Sequence, residues 1–196
     1  MITINEITII RDGREIIYDY SEQIPAGSIT VIIGPNGCGK STLLAAIAGD
    51  IAPDKGTITI DDHHAILTSP AKLAGMRAMA MQNQSFVLGF TVKEVVDMGG
   101  SSTAVLQELG LADLADRLVT TLSGGEAQRV AIAQAVAQKT PVLLLDEPLA
   151  AQDVASRRRI IELLQRLASQ GTTLVVVAHS AETELSWADK VIKQFH

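Results

Sequence analysis

Gly34-Pro35-Asn36-Gly37-Cys38-Gly39-Lys40-Ser41-Thr42 is the most informative segment of this chain. It fits the pattern G-x-x-x-x-G-K-[ST], with a β-branched run before it at 28–33 and an apolar run after it at 43–48. Such a strand, glycine-rich turn and helix bind phosphate, because backbone N–H groups and the positive end of the helix converge on one anion. We expect Lys40 to reach the β- and γ-phosphates and the Ser41 hydroxyl to hold Mg2+. The segment therefore predicts a nucleoside triphosphate site.

Length, composition and charge indicate one globular domain. The chain has 196 residues, of which 47% are hydrophobic and 19% are charged, so it can bury a sizeable core. Its net charge of −6 argues against nucleic acid as the main partner, since nucleic-acid binders usually present a basic face. No apolar run approaches the length of a spanning helix, and the N-terminus lacks the basic start of a signal peptide. We predict a single domain over 1–196, without direct insertion into a membrane.

The apolar pattern predicts an N-terminal hairpin followed by alternating strands and helices. Alternating isoleucines near the N-terminus, with turn residues at 11–14 and 25–27, are typical of a hairpin. An i, i+3, i+4, i+7 stripe predicts a helix over 153–170. Other strands are predicted at 28–33, 57–60, 78–81, 141–146, 173–178 and, at an edge, 191–192; other helices are predicted at 43–48 and, in pieces that include 111–118, over 91–138.

This order of elements predicts the fold class. Strands that alternate with helices form a mostly parallel sheet that carries helices on its faces. We expect an α/β fold of the P-loop NTPase type, with an N-terminal antiparallel β subdomain. The run of short helices predicts an α-helical insert at about 84–125. His63 and His64 have no comparable context, and we expect them in a solvated turn.

A second signal of a nucleotide site lies at 141–147. The all-apolar run ends at Asp146, and ligands of open parallel sheets bind at the carboxyl ends of the strands. Asp146 can hold Mg2+ directly or through water, and Glu147 can orient the water that attacks the γ-phosphate. Alone, such a run is often structural. Behind a phosphate-binding loop, it indicates hydrolysis.

A third segment, Leu122-Ser123-Gly124-Gly125-Glu126, precedes a predicted helix. Ser123 and Glu126 have the spacing of a capping box, in which each side chain accepts a hydrogen bond from the other residue's backbone N–H. A capped helix that follows two glycines is also a site for an anion. The segment therefore has both a structural reading and a phosphate-binding one.

Together, the phosphate-binding loop and the segment 122–126 resemble the nucleotide-binding subunit of ABC transporters. The resemblance covers essentially the whole chain in order, and the 24 positions from Leu122 to Asp146 match the spacing of the family. It implies that the ligands are ATP and Mg2+ and that ATP is hydrolysed. It also implies a head-to-tail dimer, in which the serine-glycine-glycine segment of one subunit closes on the γ-phosphate held by the other.

The resemblance also assigns roles to single residues. Gln82 resembles the glutamine that links the metal site to the helical insert; Gln84 is a rival, which the distance to Phe90 disfavours. His179 resembles the switch histidine that contacts the γ-phosphate, and Asp153 the aspartate of a loop that contacts the second subunit. We thus expect Glu147, His179 and Gln82 to be catalytic, Ser41, Gln82 and Asp146 to hold the metal, and residues 34–42 and Ser123, Gly124, Gly125 and Glu126 to bind the nucleotide.

Three features depart from the family pattern. No aromatic residue lies near Arg11, where the family usually stacks adenine, so that the guanidinium of Arg11 or the ring of Tyr18 or Tyr20 must be considered instead. Gln152 stands where the family usually has leucine before the aspartate of the dimer loop. The insert is also shorter than the family's usual one, which bears on how a membrane partner fits.

The resemblance implies an ATPase subunit that powers a membrane transporter. The segment 90–99 is similar to importers of iron-siderophore, haem or cobalamin, and more loosely to importers of divalent metals. The expected partners are separate transmembrane permease subunits and a second ATPase subunit, identical or different. The expected location is cytoplasmic and peripheral, on the inner face of the cell membrane, in keeping with the single cysteine, Cys38.

Two alternative functions stay open. The ATPase subunit of a small exporter would share every catalytic segment with the importer. A soluble ATPase in repair or translation is disfavoured by the acidic charge and by the lack of a coiled-coil insert. The sequence does not identify the transported solute, because that choice belongs to other subunits.

Overall fold

The computed structural model describes residues 1–82, 89–179 and 182–193. In these ranges the helices are α1 (Lys40–Ala48), α2 (Pro70–Met76), α3 (Val92–Asp97), α4 (Thr103–Glu108), α5 (Gly124–Ala137) and α6 (Val154–Ser169). The strands are β1 (Ile2–Arg11), β2 (Arg14–Ile24), β3 (Ile29–Ile33), β4 (Lys55–Ile60), β5 (His63–His64), β6 (Arg77–Ala80), β7 (Val142–Asp146), β8 (Thr173–Ala178) and β9 (Lys190–Lys193).

The central sheet has the order β6-β7-β8-β3-β9, and all of its pairs are parallel. All residues of β7 and β8 are buried, as expected for parallel strands covered on both faces. Successive side chains point to opposite faces, so Leu143 and Leu145 join the core beside α5 and α6, whereas Val142 and Leu144 join the core beside α1. This sheet confirms the α/β prediction.

The predicted hairpin forms a separate antiparallel sheet of order β2-β1-β4-β5. Ile2, Ile4, Ile7 and Ile9 of β1 are all buried. In a regular strand, Ile2 and Ile4 would face one side of the sheet, and Ile7 and Ile9 would face the other. The change of phase occurs at Glu6, which has φ +48°, in a segment where the pairing of β1 with both neighbours shifts. A β-bulge thus keeps both isoleucine pairs in one core.

The insert departs from its prediction in one part. A helix was expected at 111–118, but only a short 3-10 turn forms at 112–114. The backbone carbonyls of Ala115 and Arg117 instead accept hydrogen bonds from Lys93 and Val92, both at 2.8–2.9 Å. The prediction was wrong because these tertiary hydrogen bonds compete with those of a helix. Residues 84–88 of the insert lie outside the described part of the chain, and the single domain stays a prediction.

Two smaller elements also differ from expectation. His63 and His64 were expected in a solvated turn, but they form β5 and pair with the end of β4. Helix α2 was not predicted, because its apolar residues are too few to give a periodic stripe. Within the described ranges, no helix is both long and apolar enough to cross a membrane.

Candidate functional site

The phosphate-binding loop connects the end of β3 to the start of α1. Gly37 and Gly39 adopt positive φ of 78° and 99°, a conformation that favours glycine. A Cβ at Gly39 would also lie 2.9 Å from Cγ2 of Ile16, so the position has no room for a side chain. Lys40 begins α1 and is buried, and its Nζ donates hydrogen bonds to the carbonyls of Gly34 at 2.8 Å and Pro35 at 2.9 Å. The loop therefore has the form and the cation that a phosphate requires.

Asp146 ends β7 beneath this loop and is only 6% exposed. Burial raises the pKa of its carboxyl, while a hydrogen bond from the Ser41 side chain and the charge of Lys40 lower it. Its Oδ1 is buried without a hydrogen-bond partner among the described residues. A buried carboxylate oxygen with no donor, beside a serine hydroxyl, fits the oxygen ligands that Mg2+ takes. Ser41 and Asp146 are thus suited to hold a metal ion.

Glu147 meets Gln82 and His179, two residues far from it in the chain. Gln82 Nε2 donates to Glu147 Oε2 at 2.5 Å, and His179 Nε2 lies 2.5 Å from Glu147 Oε1. The three residues follow β6, β7 and β8, which are neighbours in the parallel sheet and end at one edge. The sheet order therefore explains why three distant segments share one site.

The backbone of Glu147 has φ +50°, which is uncommon for a residue with a side chain. Its N–H donates to the carbonyl of Val177 at 3.0 Å and so holds this conformation against β8. Strained backbone that is fixed by its surroundings is frequent at functional sites. The strained backbone is consistent with a functional residue whose side chain is held toward the cavity.

The loop and the strand ends enclose one open cavity of about 700 Å³. Its size suits a nucleotide. Its polar lining places the predicted catalytic side chains opposite the phosphate-binding loop. The lining residues are Ile16, Asn36, Gly37, Gly39, Lys40, Ser41, Thr42, Gln82, Glu147 and His179.

The segment 122–126 lies outside that cavity. Ser123 caps α5, with its hydroxyl accepting from Glu126 N at 3.3 Å, and Glu126 Oε2 accepts from Ser123 N at 2.7 Å. The predicted capping box is therefore present, and hydrogen bonds from the backbone and the side chain of Ser123 lower the pKa of the Glu126 carboxyl. None of Ser123, Gly124, Gly125 and Glu126 lines the cavity of the phosphate-binding loop. They lie outside that cavity, although Gly124 lines a smaller one together with Gln82 and Glu147.

The candidates for the base contact also lie away from the cavity lining. Arg11 turns toward its own chain, since its Nη1 donates to the carbonyl of Ile10 at 2.6 Å and lies 3.8 Å from Asp54. Neither tyrosine lines the cavity. Tyr20 is partly buried, which raises the pKa of its hydroxyl, and Tyr18 is exposed. Ile16 does line the cavity, although the sequence reading did not consider it. The signal was available, because Ile16 lies in the predicted second strand of the hairpin, beside the buried Ile17.

Comparison with known proteins gives one consistent result. The family model described as ABC transporter matches residues 17–150. The chain is 36% identical over 200 residues to the hemin import ATP-binding protein HmuV of Rhodococcus jostii, covering 95% of this chain and 68% of that protein. It is 39% identical to the cobalamin import ATP-binding protein BtuD of Halobacterium salinarum, covering 92% of this chain and 49% of that one.

Solved structures with a similar fold are also known. One is the dimeric post-hydrolysis state of the ATP-binding cassette MJ0796 bound to ADP and Pi, with a TM-score of 0.87 and 25% sequence identity. The similarity covers 100% of this chain and 94% of that one. The overall fold of the chain is therefore similar to that of this cassette.

Proposed function

The chain belongs to the ABC transporter family and is an ATPase subunit, and from that premise we propose which residues perform the hydrolysis and what it drives. The observation that carries the proposal is the meeting of Gln82, Glu147 and His179 opposite the phosphate-binding loop. In this proposal the loop residues and Lys40 bind the phosphates of ATP.

Ser41, Asp146 and Gln82 hold Mg2+, which offsets the negative charge of the phosphates when it is bound. The unpartnered Oδ1 of Asp146 supports this assignment, and the Ser41 hydroxyl is its neighbour. Gln82 has a further contact, because its amide also reaches Glu147. Binding or loss of the metal can therefore change the position of Gln82 and, through it, of the insert that follows in the sequence.

Glu147 is the proposed general base. Both of its carboxylate oxygens have partners, Oε2 with Gln82 and Oε1 with His179. A water that Glu147 orients can take the place of one of these contacts and give its proton to that oxygen as its own oxygen attacks the γ-phosphate and ADP leaves. His179, released from the carboxylate, can then donate a hydrogen bond to the γ-phosphate. Gln82 and His179 thus orient Glu147 before the reaction, and either can release an oxygen of its carboxylate to the water.

We further propose that Ser123, Gly124 and Gly125 complete the ATP site of a second subunit. The position of these residues outside their own cavity supports this, as does the capped start of α5, which offers backbone N–H groups to an anion. The second subunit is a copy of this chain or a close relative. Head-to-tail pairing places each capped turn opposite the other chain's loop.

The proposed work of the subunit is import through transmembrane permease subunits, from the cytoplasmic face of the cell membrane. The names of the similar proteins favour haem or cobalamin among the solutes, with iron-siderophore and divalent metal as further members of this group. Met81, just before the insert, and Phe90, Met98 and Leu118, within it, have exposed apolar side chains that suit a protein partner.

Purification of the intact complex tests the proposal. The ATPase rate should rise when haem or cobalamin is added together with its binding protein, and it should not rise with unrelated solutes of similar charge. Stimulation by neither, in a complex that retains its membrane subunits, would contradict the solute assignment. A complex without membrane subunits would contradict the transport function itself.

A further inference from the structure

Gln152 is a buried polar residue in the loop between β7 and α6. The residue is 7% exposed, and the family that the sequence resembles usually has leucine at this position. Gln152 Nε2 donates to the carbonyl of Gly125 at 3.0 Å. Its Oε1 accepts from Arg129 Nη1 at 2.8 Å. Both ends of the amide are therefore used, and both partners belong to α5.

The same contact zone contains a close backbone approach. A Cβ added to Gly125 would lie 2.8 Å from the carbonyl oxygen of Ala151, so that only glycine allows the two segments to meet here. Arg129 also donates to Ser156 Oγ at 3.1 Å, which ties α5 to the first turn of α6. Burial lowers the pKa of Arg129, in keeping with its enclosed position. The start of α5 and the loop after β7 are thus joined by a polar network.

The loop that Gln152 belongs to begins at Glu147. The segment between them is short, and Ala150 N donates back to the carbonyl of Glu147 at 3.1 Å. A small cavity lies between this loop and α5, lined by Gln82, Gly124, Ala127, Gln128, Glu147, Ala150 and Ala151. A movement of the first turn of α5 would therefore shift the loop that begins at Glu147, the proposed base.

We propose that Gln152 is a positioning residue that fixes the Ser123–Glu126 turn to the Glu147 loop, so that the two ATP sites of a dimer act together. This inference rests on the proposed function, because the turn serves the partner's site while Glu147 serves its own. Closure of the dimer on one ATP moves the turn, and the Gln152 amide transmits that movement to the loop behind the other site.

Two substitutions separate the hydrogen bonds of the amide. Gln152→Met keeps the length of the side chain and removes both bonds. Gln152→Glu keeps the acceptor for Arg129 but replaces the donor to Gly125 with a repelling oxygen. Gln165→Met, at an exposed position of α6, makes the same chemical change where no such network exists. The intact complex is assayed for ATPase rate against ATP concentration, and the isolated chain for ATP affinity.

We expect both Gln152 variants to bind ATP as the wild type does, because the phosphate-binding loop is untouched. Their maximal rate should fall about tenfold or more. Coupled sites predict a sigmoidal dependence of the wild-type rate on ATP concentration, and in both variants this dependence should be hyperbolic. The Gln165 control should keep both properties. A purely structural role would lower thermal stability and ATP affinity together and would not change the shape of the curve.

Three outcomes would overturn the inference. They are wild-type rate and cooperativity in both Gln152 variants, a parallel loss of affinity and rate, and failure of both variants to fold. In contrast, a wild-type complex that neither hydrolyses ATP nor pairs in its presence would defeat the proposed function. The two failures are thus distinguishable, because only the second involves the unaltered chain.

Discussion

Glu147 shows how much of the site depends on one side chain. It has strained backbone, it accepts from Gln82, and it lies against His179. A glutamine at this position keeps the shape and one acceptor oxygen, but its amide cannot take a proton from water. The geometry of the site and its chemistry can therefore be separated by a single substitution.

We predict that Glu147→Gln retains ATP binding and loses hydrolysis by about 100-fold or more. The ATP-bound dimer should then accumulate, visible as a doubled mass in size-exclusion chromatography with ATP. Lys40→Ala serves as the control, since it removes the buried cation of the loop and should abolish binding and pairing alike. A Glu147→Gln protein with the wild-type rate would show that another residue is the base.

Asp146 gives a prediction on stability and pH. Burial raises the pKa of its carboxyl, so the ionised form of Asp146 lowers the free energy of unfolding at neutral pH. Asp146→Asn should remove this cost and raise the Tm, by about 2–4 °C for each kcal/mol, while the metal-dependent ATPase is lost. The gain should be largest near neutral pH and should vanish as the pH falls below about 3.9, where the unfolded carboxyl is also protonated.

Asp153→Asn is the matched control for that measurement. Hydrogen bonds from Ser156 lower the pKa of Asp153, so its ionised form stabilises the folded chain above the unfolded pKa and loses this effect in acid. Its substitution should bring no gain in Tm at neutral pH. An Asp146→Asn variant with unchanged or lower Tm in low-metal buffer would show that the buried charge is compensated.

At the scale of elements, the bulge in β1 depends on a glycine of the neighbouring strand. Gly56 in β4 has φ +76°, and a Cβ there would overlap the carbonyl oxygens of Asn5 and Glu6. Gly56→Ala should therefore lower the Tm by several degrees, since both backbone strain and overlap oppose the native pairing. The folded fraction should keep its ATP affinity. Gly13→Ala has no neighbour within 4 Å and tests the cost of positive φ alone.

The elements also show where sequence reasoning succeeds and where it ends. Buried strands such as β7 and β8 are continuous apolar runs, and the capping box of α5 is local, so both could be predicted. The helix expected at 111–118 failed because its carbonyls bond to the start of α3, which no local pattern reveals. The partners of Gln152 could not be foreseen for the same reason, since Gly125 and Arg129 lie on a different element.

At the scale of the whole molecule, pairing of two chains is the property to test. Ser123→Arg places a long cation at the capped start of α5, outside the chain's own phosphate cavity. We predict that the isolated chain still binds ATP, whereas ATPase activity of the assembled transporter stops because closure is blocked. Equilibrium binding on the isolated chain and turnover by the complex measure the two effects.

A mixture of variants sharpens this test. Ser123→Arg and Lys40→Ala subunits, combined in one preparation, can form at most one sound site in each dimer, so recovered activity should be partial. Unchanged ATPase in a Ser123→Arg complex would contradict a composite site. Loss of ATP binding by the isolated variant would instead show that Ser123 serves its own chain.

The order of the central sheet has a consequence for how the chain reaches its native state. Among the described residues, β3, which precedes the phosphate-binding loop, pairs with β8 and β9, and both of these strands come much later in the sequence. During synthesis, the strand before the loop therefore has no neighbours in the sheet until residues 173–193 have left the ribosome. Contacts of such long sequence separation slow folding, and nucleotide cannot stabilise early intermediates that lack the finished sheet. We therefore expect a nascent chain that ends before β8 not to hydrolyse ATP.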